Sequence, residues 1–123
     1  MSRTIIGAFA FAALLSAPAL ADGPQAIATA AQHSGLAANA ANIGAVHTHL
    51  HHVLNCLVGP GGNGFDAAPG NPCNAAGGAI PQTADAATKA KLETAATQVR
   101  GGIANNDEAA AKKVATDVQA MLK

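Results

Sequence analysis

The sequence predicts an all-α fold, a small antiparallel bundle of three to four helices with a Gly/Pro-rich loop closed by a disulfide. Three observations point to it. Apolar residues recur at three-and-four spacing along several alanine-rich segments, the signature of helices with one buried face. Outside one histidine cluster no stretch alternates with period two, and alanine is a poor strand former. Cys56 and Cys73, the only cysteines, bracket a segment dense in turn formers.

The elements follow in order along the 123 residues. Met1-Ser2-Arg3 supplies a short positive start, Ile5 to Leu15 is continuously apolar, and Ser16-Ala17-Pro18-Ala19-Leu20-Ala21 ends in the small residues a signal peptidase reads. Residues 1–21 are therefore read as a cleaved secretory signal and residues 22–123 as a single helical-bundle domain. The apolar run is shorter than the roughly 18 to 20 residues that span a bilayer, so no membrane span is expected in the mature form. Asp22-Gly23-Pro24 opens the first helix, with proline at the first helical position where its missing N–H costs nothing. Ser34-Gly35 is the expected break, because an unbroken helix from Pro24 to Val58 would be roughly 50 Å long and outreach its partners.

A long central helix is expected from Leu36 to Val58, with Leu36, Ile43, Val46, Leu50, Val53, Leu54 and Leu57 on one face. Gly59-Pro60 stops it. The following loop to Cys73 gains from a clasp: closing a loop of this size removes about 3 kcal/mol of unfolded-state entropy in the chain-entropy model. A third helix begins after Pro81-Gln82-Thr83, with Thr83 as its cap and Leu92, Ala96, Val99 and Ile103 facing inward; Gly101-Gly102 frays or ends it. Asn105 to Glu108 resembles a capping box ahead of a last helix carrying Val114, Val118, Met121 and Leu122. Large apolar residues are few, so the helices should pack closely around a thin core, with the disulfide supplementing a small domain.

Composition excludes several functions. Without the signal, Phe65 is the only aromatic residue, so base- and sugar-stacking platforms are missing, and the charges of the mature chain nearly balance. A phosphate-binding surface shows a basic excess, and nucleic acid is not an expected partner. No nucleophile elbow, H-E-x-x-H or Gly-rich phosphate loop occurs. The Asn63-Gly64-Phe65-Asp66 stretch is a turn with one buried anchor; a calcium loop needs more oxygen ligands. Binding is better supported than catalysis.

What would bind is a transition metal. His47-Thr48-His49-Leu50-His51-His52 holds four of the five histidines, and Cys56 follows. Imidazole is the commonest protein ligand for such ions and is largely neutral at neutral pH. At about 100° per residue, His47 and His51 stack on one flank of the apolar stripe and His49 and His52 on the other. Either pair suffices to chelate one ion, but the two face nearly opposite directions and cannot serve the same one. Carboxylates on neighbouring helices, water, or the same pair from a second chain in a homodimer would complete the site. His-rich sets favour copper, zinc, nickel or cobalt, with copper first by intrinsic affinity. His33, alone on its helix, reads as a solvated or hydrogen-bonded surface residue.

Two alternatives stand beside this reading. One is a non-covalent bis-histidine haem, since no C-x-x-C-H motif exists, held between facing helices or at a dimer interface. The other is a structural or interaction protein with a solvated His-rich face. With the signal, the first reading describes an exported protein of the bacterial periplasm that sequesters, delivers or senses a metal.

Overall fold

The computed structural model describes residues 23–123. The expected signal segment and Asp22 lie outside the described residues. Four long helices and one short one follow in the order α1 (Gly23–Ala38), α2 (Ile43–Val58), α3 (Ala79–Gln82), α4 (Ala86–Ala104) and α5 (Glu108–Leu122). No strand occurs among the described residues. The helical-bundle class is as the periodicity predicts.

The helix boundaries correct the sequence reading at four places. Ser34-Gly35 does not break α1: buried Ser34 belongs to the small packed face of the helix, and its hydroxyl is satisfied by donating to the Ala30 carbonyl at 2.9 Å. The break falls at residues 39–42, where the Asn42 side chain accepts from the Ala45 N–H and caps α2. Asp85 rather than Thr83 caps α4, accepting from the Thr88 N–H. Gly101-Gly102 stays helical. Asp107 rather than Asn105 caps α5, accepting from the Ala110 N–H. In each new cap a side-chain oxygen takes an N–H left free at a helix start, which lets a short polar linker set the boundary.

The four-residue linker at 39–42 turns the chain back, so α1 and α2 form an antiparallel hairpin. Next to it, α4 also runs antiparallel to α2: His47 meets Asn105, and Gly102 lies against Leu50. The three residues 105–107 then reverse the chain into α5, which packs on both α4 and α1. Among the described helices, α2 alone has a buried face built mainly of large residues, Val46, Leu50, Val53, Leu54 and Leu57. The buried face of α1 is Gly23, Ala26, Ala30, Ser34 and Ala37, all small. Small residues let backbones approach closely, so α1 lies near enough to α2 for side chains at the edges of both helices to meet.

Residues 59–85 cross from α2 to α4 and fold back on the bundle. Gly59, with φ +71°, caps α2; a Cβ there would stand 2.8 Å from the Gly78 nitrogen, so only glycine allows the two backbone segments to touch. Cys56 and Cys73 are both buried and disulfide-bonded, Cα to Cα 5.1 Å, as the cysteine count predicts. Asn55, also buried, donates from its amide to the carbonyls of Asp66 and Gly70 and accepts from the Asp66 N–H. Disulfide and amide together hold the loop against the C-terminal half of α2. Phe65 is half-buried.

Candidate metal centre

Residues at the matching edges of a helical hairpin face one another when they lie equally far from its turn. His33 precedes the 39–42 linker by about as much as His49 follows it, and the packing of α1 on α2 brings them together. His52, one turn beyond His49 on the same flank, joins them. His33 Nδ1 lies 3.3 Å from His49 Nδ1 and 3.3 Å from His52 Nδ1. One ligand atom from each of the three residues lies within 4.8 Å of the other two, and all three side chains are half-buried.

The rings are inclined rather than stacked. His52 stands nearly perpendicular to His33 and to His49, at interplanar angles of 84° and 79°, and His33 is tilted 36° from His49. Flat stacking would place ring faces together; this arrangement directs ring nitrogens at one another.

Hydrogen bonding fixes one tautomer. His52 Nε2 donates to the Pro69 carbonyl at 2.7 Å. A carbonyl only accepts, so in the neutral ring the proton is on Nε2 and Nδ1 presents a lone pair. Backbone carbonyls hold metal-ligating histidines in this way through the nitrogen that does not bind. Around His33 Nδ1, one proton cannot satisfy both neighbours: if it donates to His52 Nδ1 it has no lone pair for His49, and if it accepts from His49 it has no proton for His52. A cation held among the three nitrogens would take a lone pair from each, which no arrangement of shared protons does.

The electrostatics agree. The pKa of His33 is lowered from 6.5 to about 4, by burial first and then by the neighbouring charges of His52 and His49. That of His49 is lowered by burial and then by His52. Both rings are therefore neutral at neutral pH, the form in which imidazole coordinates.

Of the four histidines singled out by density, the structure brings His49 and His52 into this group and leaves His47 and His51 out. His47 Nε2 donates to the Asn105 carbonyl at 2.8 Å, tying α2 to the linker between α4 and α5. His51 is half-buried, and its Nδ1 is enclosed without a hydrogen-bond partner. Cys56 is committed to the disulfide. His33, read from sequence as a surface residue, is the third member. Its isolation along the chain hid it; the signal that finds it is Asn42 as an N-cap, which sets the turn and hence which residues of the two helices face each other. No cysteine or carboxylate joins the group among the described residues.

Comparison with protein-family models, with curated proteins and with solved structures found no match.

Proposed function

We propose that this chain binds one transition-metal ion through Nδ1 of His33, His49 and His52. The observation that carries the reading is the pair of 3.3 Å separations centred on His33 Nδ1. Two nitrogens on one ion at bonds of ~2.0–2.1 Å stand that far apart when the angle between the bonds is roughly 104–111°, close to tetrahedral. Zinc accepts that angle without electronic cost, and Co(II) substitutes for it. Copper leads by intrinsic affinity, but Cu(II) prefers square-planar or tetragonal sites, and nickel shares that preference, so both ask the rings to move. Zinc is the ion the geometry favours, with copper its strongest competitor. Three imidazole nitrogens clustered this closely suit a bare ion; a bis-histidine haem needs two nitrogens on opposite faces of a porphyrin.

Sequestration, delivery or sensing in an exported setting is the proposed role. The disulfide is compatible with an oxidising compartment, and no helix among the described residues is long and apolar enough to cross a membrane. The signal reading of residues 1–21 and a periplasmic location belong to the same proposal.

The test is a titration of the untagged protein with zinc and with copper against a competing chelator, in the parent and in single histidine variants. One ion per chain is expected, with His33→Ala, His49→Ala and His52→Ala each losing at least ~100-fold in affinity, since even indirect partners of a metal ligand are worth 10–100-fold. His47→Ala and His51→Ala are expected to bind as the parent does. Equal affinity in the parent and His33→Ala overturns the assignment.

A further inference from the structure

We infer that the metal-loaded site binds a small monodentate anion from solution as its fourth ligand. This rests on the reading that His33, His49 and His52 hold the ion, and it follows from what surrounds them. Three neutral imidazoles leave the full charge of a divalent ion uncompensated. Among the described residues no Asp, Glu or Cys offers a further ligand atom to the group. Asp66 is the acidic residue of the loop that supplies Pro69, and its Oδ1 accepts from the Ala68 N–H.

A half-buried dication without a counter-charge is costly, because desolvation removes the water that would screen it. An anion in direct contact removes that cost. Coordination number makes the same demand. A zinc-type ion takes four ligands, and three protein ligands leave one vertex for an exogenous group. The two separations centred on His33 Nδ1 match near-tetrahedral bond angles, and an ion held from three protein nitrogens has its free vertex on the side away from the rings. All three histidines are partly exposed, which places the ion at the rim of the α1–α2 hairpin, within reach of small solutes.

The fourth ligand is thus hydroxide, chloride or the carboxylate of a small acid. Its recognition is by charge and by one donor atom, since neither a guanidinium nor an ammonium is required to hold it. A closed structural site with four protein ligands would behave differently: its ion would ignore anions in solution.

Cobalt(II) reports on this directly, because its visible absorption depends on the number and type of ligands. The disulfide-bonded protein is loaded with Co(II), stoichiometry is measured, and azide is titrated in, followed by acetate in a separate series. The expected result is one cobalt per chain, an absorption of tetrahedral intensity, and a saturable band shift with one azide per cobalt. Acetate should produce its own shift and compete with azide. The His47→Ala variant should respond as the parent does, and His33→Ala should give no such spectrum. Cobalt bound at one per chain with a spectrum indifferent to both anions overturns the inference while leaving the three-histidine site standing. One cobalt per two chains overturns it too, since the second copy then fills the vertex. Failure of cobalt and zinc to bind at all overturns the site reading and this inference together.

Discussion

The side chain of Asn55 pairs with both backbone groups of Asp66, donating to its carbonyl at 2.6 Å and accepting from its N–H at 3.1 Å. A second amide proton reaches the Gly70 carbonyl at 2.8 Å. The clamped segment contains Pro69, whose carbonyl orients His52 one helical turn before Asn55 on α2. A buried polar residue of α2 thus connects loop conformation to the candidate ligand set.

Asn55→Ala should therefore act on stability and on binding together. It strands the Asp66 N–H and the Asp66 and Gly70 carbonyls, and each buried group left unpaired costs about 1–3 kcal/mol, less where water enters. A loss of about 2–4 kcal/mol in a denaturant melt is expected. With Pro69 released, zinc affinity should drop by about 10–100-fold, the usual effect of losing the partner of a ligating histidine. Intact affinity in a folded Asn55→Ala protein would separate the loop from the site.

Removal of the disulfide probes the same loop from its other anchor. Its cysteines are 17 residues apart, and opening such a loop costs about 3 kcal/mol in the chain-entropy model. Cys56→Ala with Cys73→Ala should lower the denaturant midpoint accordingly. Zinc affinity should weaken as well, since Pro69 lies inside the loop. Because bound zinc stabilises only the folded chain, added zinc should recover part of the lost melting temperature.

The fold was largely legible in the sequence, and the site only in half. The apolar stripe of α2 stands where its spacing predicts, with Val46, Leu50, Val53, Leu54 and Leu57 buried, and the cysteines pair. Leu36, placed on that stripe by the same spacing, is the exposed exception at 44% because it belongs to α1 instead. The flank shared by His49 and His52 was readable too, since spacing within one helix is local geometry. His33 was not, because its partner His49 lies sixteen residues away along the chain and the position of the turn between them decides which residues meet. Ser34-Gly35 has poor helix propensity, yet packing of the small α1 face overrides it. Density along the chain likewise overstated His47 and His51, which the helix rotates away from His49 and His52.

The metal-free protein should lose stability on mild acidification. His33 in the fold takes up a proton only near pH 4, whereas in the unfolded chain it does so near 6.5. Between these values the unfolded state binds more protons, so stability rises with pH across the window and is flat above it. His49 shifts in the same direction. Urea midpoints at pH 7.5 and pH 5 should therefore differ in the parent and differ less in His33→Ala. Asp85 acts in a separate, lower window: hydrogen bonds from the Thr88 side chain and backbone hold its carboxyl below 3.8, and its contribution is lost only in stronger acid. Zinc should steepen the acid dependence, because protons compete for the same nitrogens.

Adjacent glycines in α4 offer opposite outcomes from one chemical change. A Cβ at exposed Gly101 would meet nothing within 4 Å, so Gly101→Ala should gain about 0.5–1 kcal/mol from helix propensity and a less flexible unfolded chain. A Cβ at buried Gly102 would stand 3.0 Å from Leu50 Cδ1 and from Val114 Cγ1. Both neighbours belong to packed helices, and Leu50 is wholly buried. Overpacking of this kind costs typically about 1–3 kcal/mol, which outweighs the propensity gain, so Gly102→Ala should be destabilised on balance. Since Gly102 sets the approach of α4 to α2 and α5, and His33, His49 and His52 lie between α1 and α2, zinc affinity should be little changed. Denaturant melts of the two variants check the sign at each position. A stabilised Gly102→Ala would mean that Leu50 and Val114 give way without loss, and that the tight α2–α4–α5 junction is not what requires glycine there.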